Sequence, residues 1–326
     1  MGILLKKEGL HMNYFCTLFD SNYLIRGLTM YKSIIDAGEN FQIYVVCFDD
    51  VAFEILQRLS LRNITLISLH EFENEDLLKV KKTRTKGEYC WTCTSFVIGY
   101  VLDTYKLSEV TYLDADLYFF NKPSILLDEF RDSDKSVMIT EHRYTPEYDQ
   151  SATSGIYCVQ FMTFKADQYG IRVLQWWQER CLEWCYARIE DGKFGDQKYL
   201  DDWTERFACV HVLQHPGGGV APWNVQQYNV DLERNIGDNN IVFYHFHNLK
   251  MLSTNKFDMG TYRLREKDVE YIYYPYIDAL KKTLHLVQEE YNVGFTSGIQ
   301  EERAHWKNPI RKFKRKWRGI YNVVQR

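Results

Sequence analysis

The sequence predicts an α/β fold in which a mostly parallel central sheet is flanked by helices. Three short apolar runs, at 13–19, 41–48 and 64–69, have the composition of buried strands, and helical segments at 24–37 and 51–61 separate them. Because parallel strands need crossover connections, strands that alternate with helices at this spacing indicate a doubly wound sheet. A chain of 326 residues with 45% hydrophobic side chains has enough apolar surface for such a core.

The spacing of apolar residues supports these elements in turn. In the first helical segment they recur at helical intervals, and Gly38 ends the segment. The strand before it stops at Asp20, which begins a turn and a helix start. No Gly-x-Gly-x-x-Gly follows that strand, so a dinucleotide-binding dehydrogenase is disfavoured. Farther along, the same criteria predict helices at 88–105, 123–130, 166–190 and 276–291, and strands at 110–113, 117–120, 136–140, 154–164, 210–214 and 241–245.

The charge of the chain is small overall but unevenly distributed. The net charge is −4, from 40 basic and 44 acidic side chains. Nine of the basic residues and no acidic residue lie between Arg303 and Arg326, which leaves the rest of the chain with a net charge of −13. An acidic body of this kind argues against nucleic acid as a partner.

Two features bear on the location of the protein in the cell. No apolar run approaches the roughly 20 residues that a membrane span needs. Residues 1–7 contain too few apolar side chains for a signal peptide, and their lysines are on the wrong side. We therefore expect a cytoplasmic protein.

The eight cysteines are compatible with that location. Cys16, Cys47 and Cys158 lie in apolar, strand-like runs and are expected to be small core residues. Cys90 and Cys93 form a C-x-x-C pair, which suits a redox pair or half of a zinc site. No second C-x-x-C completes a zinc set, so two reduced thiols near a helix start are favoured.

The most informative stretch is 109–120, in which two carboxylates interrupt an apolar strand. Asp114 and Asp116 follow the β-rich run that ends at Leu113, and a second apolar run begins at Leu117. In open α/β sheets, ligands bind outside the carboxyl ends of the strands, and uncompensated carboxylates there are costly. Mg²⁺ and Mn²⁺ are commonly held by one or two carboxylates together with substrate phosphates. The pattern therefore favours a metal–diphosphate site over a simple turn.

Three other segments contain candidate binding residues. Residues 71–86 carry five close cations and form either a solvated loop or a flexible cover whose cations, Arg84 among them, meet a diphosphate. The helix that begins near residue 88 offers free N–H groups, so Tyr89 and Thr94 could face a nucleotide. In the Gly-rich loop 215–224, the final residues are either sugar or acceptor contacts or parts of a rigid corner: Trp223 and Asn224.

The motif Tyr112-Leu-Asp-Ala-Asp-Leu117 resembles the metal motif of nucleotide-sugar glycosyltransferases of the GT-A fold. The pattern is most similar to that of family 8, the glycogenin-like and bacterial lipopolysaccharide transferases, and the resemblance covers about residues 13–250. It implies a GT-A fold and the transfer of a sugar from a nucleotide diphosphate sugar, with UDP favoured, to an acceptor hydroxyl. The acceptor would be a saccharide or a lipid-linked molecule in bacterial surface polysaccharide or glycolipid assembly. Mn²⁺ or Mg²⁺ is the implied cofactor, and retention of the anomeric configuration is implied by this resemblance alone.

The resemblance also assigns roles to individual residues. Two lie in the segment 193–200, which is similar to the sugar-contacting turn of family 8, and are the implied catalytic residues: Asp196 and Gln197. The implied metal ligands are Asp114, Asp116 and His245. The implied contacts to the nucleotide and sugar are Thr17, Phe19, Asp20, Tyr23, Asp114, Ala115, Gly155 and Lys250. For Asp20 a helix cap, and for Gly155 a plain strand bend, are the alternatives.

The last part of the motif departs from the family pattern. Residues 245–250 are similar to the family ending His-Phe-x-Gly-x-x-Lys, but Asn248 replaces the glycine and Lys250 comes one position early. This puts the phosphate role of Lys250 in doubt. His247 is the alternate metal ligand, since it lies on the same side of a strand as His245. The rival functions are a sugar-nucleotide nucleotidyltransferase, whose Gly-rich activation loop is missing after the first strand, and a non-catalytic binding protein of the same fold.

The chain is predicted to have three parts: a transferase domain at 1–250, a helical extension packed on it at 251–302, and a basic amphipathic helix at 303–326. The helix would begin at Asn308-Pro309. Its apolar residues recur at intervals of three and four, with basic residues between them: Trp306, Ile310, Phe313, Trp317, Ile320, Tyr321 and Val324. This composition suits a segment in an anionic membrane interface, which would place the enzyme on the inner face of the membrane. The alternatives are a helix packed on the body or a basic arm that neutralises it.

Overall fold

The computed structural model describes residues 11–300, 308–320 and 322–326. Its first eight strands are β1 (Asn13–Phe19), β2 (Phe41–Cys47), β3 (Ile64–Ser68), β4 (Glu109–Leu113), β5 (Leu117–Phe119), β6 (Val137–Glu141), β7 (Tyr157–Lys165) and β8 (Val210–Val212). All of these except β5 form one sheet in the order β3-β2-β1-β4-β7-β6-β8. Four of its strand pairs are parallel, and only β7 runs antiparallel to its neighbours β4 and β6. The predicted class, a mostly parallel sheet in an α/β fold, is confirmed.

Helices cover both faces of this sheet. They are α1 (Leu24–Asp36), α2 (Asp50–Leu59), α3 (Leu69–Phe72), α4 (Glu75–Lys81), α5 (Lys86–Tyr105), α6 (Ser124–Arg131), α7 (Ser151–Ser154), α8 (Gln168–Glu183), α9 (Trp203–Arg206), α10 (Glu266–Asp268), α11 (Tyr274–Glu290) and α12 (Asn308–Trp317). Successive side chains of a strand point to opposite faces. Phe15 and Ile43 accordingly pack with α1, α2 and α11, whereas Cys16 and Tyr44 pack with α5 and α8.

The charged segment 71–86 is helical for part of its length, so it is not a loop throughout. Its expected role as a cover whose cations meet a diphosphate stays a prediction. Asn74 caps α4 by accepting a hydrogen bond from the N–H of Leu77, whose side chain is fully buried. Two of the five cations are engaged in ion pairs on this segment, Lys79 with Asp76 and Lys81 with Glu73. The cap stabilises the helix, and the buried leucine packs it on the body of the protein.

The remaining strands are short and lie outside the main sheet. They are β9 (Asn235–Ile236), β10 (Asn239–Asn240), β11 (Phe243–His245), β12 (Lys250–Met251), β13 (Lys256–Asp258) and β14 (Val323–Gln325). β11 pairs antiparallel with β5, and β12, β13 and β14 form a three-stranded sheet. The residues after 250 therefore contain strands as well as helices.

The C-terminal helix is shorter than the apolar pattern predicts. α12 ends at Trp317, Gly319 follows with a φ of +66°, and the chain then forms β14 against β13. Val324 is therefore part of a strand, because its backbone pairs with that of Phe257. Trp306 and Tyr321, two other members of the predicted apolar face, lie outside the described residues. None of the helices in the described ranges is both long and apolar enough to cross a bilayer.

Candidate metal and donor-binding site

The Asp-Ala-Asp turn lies at the carboxyl end of β4, between this strand and β5. The antiparallel pairing of β5 with β11 places His245 opposite Leu117. The N–H of Phe246 also donates to the carbonyl of Asp116, with 3.0 Å between nitrogen and oxygen. Ala115, between the two carboxylates, is buried. The short β5–β11 ladder thus brings a histidine from a distant part of the sequence to the two carboxylates.

Asp114, Asp116 and His245 each offer one ligand atom, and these atoms lie within 4.8 Å of one another. His245 Nε2 is 3.1 Å from Asp116 Oδ1 and 4.0 Å from Asp114 Oδ2. Around an octahedral ion with bonds of about 2.1 Å, adjacent ligands are about 3.0 Å apart and opposite ligands about 4.2 Å apart. Two carboxylates and one imidazole at these separations fit a divalent ion such as Mn²⁺ or Mg²⁺.

The charges of the three side chains act strongly on one another. Burial raises the pKa of Asp114 above its usual range against the opposing charge of His245. Burial has the same effect on Asp116, but the charge and hydrogen bond of His245 outweigh it and leave the pKa of Asp116 below its usual range. The pKa of His245 is well above its usual value, because Asp116 more than offsets the effect of burial. In this arrangement a protonated imidazole supplies the positive charge that buried carboxylates require.

Asp196 lies beside this cluster and is also buried, with 5% of its surface exposed. It precedes a 3-10 turn at Gln197–Asp202, and its carbonyl accepts a hydrogen bond from Trp177 Nε1 at 2.9 Å. Burial and the charge of Asp114 raise the pKa of Asp196 to about 8, although a hydrogen bond with Thr94 lowers it. The structure thus brings Asp196 and Thr94 to the candidate metal ligands, in surroundings that favour the protonated form of the Asp196 carboxyl group.

Gln197 and Gly155 meet next to this position. Gln197 Nε2 donates to the carbonyl of Ser154 at 2.7 Å, and Gly155 has a φ of +107°. A Cβ on Gly155 would lie 2.9 Å from Asp201 Oδ1. Glycine therefore allows this strand to approach the turn that begins at Gln197. Contact of Gly155 with a sugar remains a prediction.

The carboxyl end of β1 borders the same site. Asp20 accepts hydrogen bonds from the N–H groups of Asn22 and Tyr23 and forms an ion pair with Lys86, so it is a turn cap with a charged partner. Tyr23 is 46% exposed, and the charge of Asp116 together with burial raises its pKa to about 12. Tyr23 is therefore an exposed aromatic ring close to the carboxylates.

The two predicted nucleotide contacts inside β1, Phe19 and Thr17, are both buried in the protein interior. Phe19 is a core residue, since its ring occupies the space beside Gly27 and leaves no room there for a Cβ. The expected contact of Phe19 with a nucleotide stays a prediction. Thr17 is fully buried, and its Oγ1 finds no hydrogen-bond partner among the described residues.

Two other predicted nucleotide contacts also belong to the protein interior. The guanidinium of Arg84 donates to the carbonyls of Cys181 and Leu182, at 2.7 and 2.8 Å, and caps the end of α8. Tyr89 is 3% exposed, and its hydroxyl donates to Glu73 at 2.7 Å. Both side chains thus have structural contacts, and their expected roles toward a diphosphate and a nucleotide stay predictions.

The Gly-rich loop forms a rigid corner beside the metal ligands. Asn224 is fully buried: it donates to the carbonyls of His142 and Gly219 and accepts from the N–H of Ala221. Its amide therefore holds the loop together and joins it to His142, and its expected contact with a sugar or acceptor stays a prediction. Trp223 donates to the same His142 carbonyl, and its ring stands edge-on to His245, with 5.3 Å between ring centroids.

The end of the motif after β11 has an unusual backbone. Asn248, which replaces the family glycine, has a φ of +63°, a conformation that favours glycine and that asparagine tolerates. His247 lies near His245, with 5.9 Å between their rings, and burial lowers its pKa to about 4. The three-residue cluster contains His245 and not His247. Lys250 is exposed on β12, and its phosphate role stays a prediction.

Two buried polar residues of the site escape the sequence reasoning. Arg26, on α1, donates to the carbonyl of Leu249 at 3.0 Å, and its charge helps to lower the pKa of Asp116. Gln160, on β7, has its Oε1 2.7 Å from Nδ1 of His245. Both interrupt otherwise apolar stretches, and a buried polar side chain usually has a partner. A polar residue within an apolar stretch is therefore the sequence signal that could have identified Arg26 and Gln160.

All eight cysteines are free thiols, and six of them are buried. Cys90 and Cys93 lie in the first turns of α5 without a disulfide between them. The predicted position near a helix start is confirmed, and the reduced state of the two thiols stays a prediction.

Comparison with known proteins gives both a family and a fold. No model of a known protein family matches the chain. Two uncharacterized proteins of Bacillus subtilis (strain 168) are similar in sequence: YfnF is 30% identical over 298 residues, which cover 87% of this chain and 97% of YfnF. YfnD is 29% identical over 290 residues, which cover 85% of this chain and 92% of YfnD.

The galactosyltransferase LgtC, solved with donor and acceptor sugar analogs, has a similar structure. The TM-score is 0.52 at 12% sequence identity, and the match covers 82% of this chain and 95% of LgtC. At this identity the similarity concerns the fold, and it confirms the GT-A architecture expected from the sequence. The chain therefore has a GT-A fold and belongs to the same protein family as YfnF of Bacillus subtilis.

Proposed function

We propose that this protein is a metal-dependent glycosyltransferase. Its donor is a nucleotide diphosphate sugar, with UDP favoured, and its acceptor is a saccharide or a lipid-linked molecule of a surface polysaccharide or glycolipid. The observation that carries the proposal is the convergence of Asp114, Asp116 and His245 at the ends of β4 and β11 in a GT-A fold. Asp114, Asp116 and His245 would hold Mn²⁺ or Mg²⁺, and the bound ion would stabilise the charge of the leaving diphosphate.

The remaining roles follow from the positions of the side chains. Tyr23, exposed at the end of β1, would pack against the nucleotide or sugar. Asp196 would orient the transferred sugar, since its protonated carboxyl group can donate a hydrogen bond at neutral pH. Arg26 adds a fixed positive charge behind Asp116, whose pKa it helps to lower. Buried and preorganised charges of this kind are worth more than they would be in water.

Donor binding is tested by thermal unfolding of the full chain with a panel of nucleotide diphosphate sugars, in Mn²⁺ or in chelator. We expect a UDP-sugar to raise the Tm in Mn²⁺ only, because a ligand at 100 times its Kd stabilises a protein by about 2.7 kcal/mol. Release of UDP in the presence of acceptor then separates a transferase from a binding protein. If no nucleotide sugar raises the Tm in Mn²⁺, the proposal fails.

The proposal of a membrane partner rests on features of α12 and not on the candidate metal site. Ile310, Phe313 and Trp317 are 49%, 71% and 81% exposed, and helical spacing puts them on one side of the helix. Arg315, on the opposite side, forms a two-pronged ion pair with Asp258 at 2.7 and 2.8 Å. The side of α12 that carries Arg315 thus contacts the body of the protein, and the apolar side faces outward.

Basic side chains next to this apolar side favour an anionic lipid surface as its partner. Lys314 and Lys316 are exposed and lie on either side of the apolar stripe, and Arg318 is exposed at its end. Each cation near an anionic membrane contributes about 1 kcal/mol to binding. Such a contact would hold the enzyme on the cytoplasmic face of the membrane, beside a lipid-linked acceptor.

Vesicle flotation tests this partner. The full chain should float with anionic vesicles at low salt, and the double variant Phe313→Ser, Trp317→Ser should not. The matched control is Leu232→Ser, Val293→Ser, which removes two exposed apolar side chains from other parts of the surface. Equal flotation of both double variants, or no flotation of the wild type, would show that α12 does not bind membranes.

A further inference from the structure

Gln160 connects the two halves of the candidate metal site. It is fully buried on β7. Its backbone carbonyl accepts the N–H of Asp114 at 3.0 Å, and its side-chain Oε1 lies 2.7 Å from Nδ1 of His245. One residue therefore contacts both the start of the carboxylate turn and the ring of the histidine.

The side-chain contact has a consequence for the imidazole. The amide oxygen of Gln160 can only accept a hydrogen bond, so Nδ1 of His245 must carry the hydrogen. The other nitrogen, Nε2, is the one that faces Asp116 and Asp114. When the ring is neutral, its lone pair is on Nε2 and points toward the carboxylates. The hydrogen bond of one ring nitrogen thus determines which nitrogen is available as a ligand.

The Gly-rich loop explains how Gln160 is kept in place. Gly219 has a φ of +89°, and a Cβ there would lie 2.7 Å from Thr140 Cγ2 and 3.2 Å from Gln160 Nε2. The next residue, Val220, accepts the backbone N–H of His245 at 2.9 Å. The loop therefore packs closely on the Gln160 amide and also holds the strand that carries His245.

This arrangement costs stability. Gln160 Nε2 is buried and has no hydrogen-bond partner among the described residues. A buried donor without a partner destabilises the folded state. An apolar side chain of similar size would avoid that cost, so the fold alone does not explain a glutamine at this position.

We infer that Gln160 is a positioning residue, which selects the Nδ1–H tautomer of His245 and so presents Nε2 to the cation. The inference rests on the metal site of the proposed function. Mutation of a residue that hydrogen-bonds to the second ring nitrogen of a metal-bound histidine typically changes metal affinity by about 10–100-fold.

The test compares Mn²⁺ affinity and thermal stability in the full chain without donor. Gln160→Leu should bind Mn²⁺ about 10–100-fold more weakly, with a Tm equal to or above that of the wild type. Gln160→Glu keeps an accepting oxygen and should retain the affinity. Thr163→Val is the matched control, since it removes one buried side-chain hydrogen bond of the same strand, that to Thr111. It should lower the Tm and leave the affinity unchanged.

A spectroscopic measurement without metal makes the result independent of the proposed function. The ¹⁵N shifts of His245, measured at a pH high enough to remove one proton from its imidazolium ring, should show a protonated Nδ1 in the wild type and in Gln160→Glu, and a shift toward a protonated Nε2 in Gln160→Leu. Unchanged Mn²⁺ affinity in Gln160→Leu, or a protonated Nε2 in the wild type, overturns the inference. A wild type that has the Nδ1–H tautomer but no Mn²⁺ affinity overturns the metal site and supports the assignment of the tautomer.

Discussion

Replacing Asp116 with alanine should lower Mn²⁺-dependent turnover by about 10³-fold or more, since a bound cation supplies several kcal/mol of transition-state stabilisation. Asp116 is 3.1 Å from His245 Nε2 and is the main source of the raised pKa of that histidine. Its removal takes away one carboxylate ligand. The protonated histidine also loses its partner, so its pKa should fall.

The measurement is sugar transfer as a function of Mn²⁺ concentration, with the Tm as a check on folding. Asp103→Ala is the matched control, because this carboxylate is exposed and pairs only with the nearby Lys106 in a surface ion pair. The control should have wild-type activity. Full activity of Asp116→Ala in chelator would show that the three-residue cluster is not a catalytic metal site.

Asp196→Asn should lower kcat far more than it lowers the affinity for the nucleotide. Asp196 lies next to Asp114 and Thr94 and not at the end of β1. In the proposed arrangement it therefore contacts the sugar. An interaction that is strongest near the transition state appears in kcat, whereas uniform binding appears in KM. Unchanged kcat in this variant would leave Asp196 as a structural residue before the 3-10 turn.

The same variant has an independent effect on stability in chelator. The pKa of Asp196 is about 8 in the folded protein, above its ordinary value of 3.8, so between these values the folded state binds more protons than the unfolded state. Stability from this group is therefore present at low pH and is lost as pH rises toward 8. Asparagine cannot ionise, so the Tm of Asp196→Asn minus that of the wild type should increase from pH 5 to pH 8. A difference that stays constant with pH would mean that Asp196 is ionised throughout.

The sequence was most informative where local pattern and chemistry coincide. Asp114 and Asp116 could be placed because an apolar strand that stops at two carboxylates has few other uses. His245 could be matched only through the resemblance, since its pairing partner β5 is far away in the sequence. The α/β class could be predicted from the alternation of strands and helices, because this alternation does not depend on the contacts of individual side chains.

Polarity alone does not reveal burial, so the sequence could not show which candidate polar groups already have partners inside the protein. Arg84 and Tyr89 carry groups that suit a nucleotide, but the end of α8 and Glu73 occupy them. Asn224 has four hydrogen-bonding positions. Its own loop takes up two of them, and the carbonyl of His142 takes up a third. Each of these contacts joins segments that are distant in sequence or depends on a turn whose shape is fixed by packing.

The ladder between β5 and β11 would make cation binding at the proposed site a measure of complete folding. Two of the three candidate ligands lie in the turn after β4, and the third, His245, reaches them only when β11 pairs with β5 and closes a long loop of the chain. Gln160 and His245 are themselves 85 residues apart in the sequence. Closing such a loop has an entropic cost that must be met before the contact forms. A collapsed intermediate in which β11 is still detached would have the two carboxylates without the histidine. The number of high-affinity Mn²⁺ ions bound per protein molecule in a preparation would therefore measure the fraction of molecules in which β11 has paired with β5.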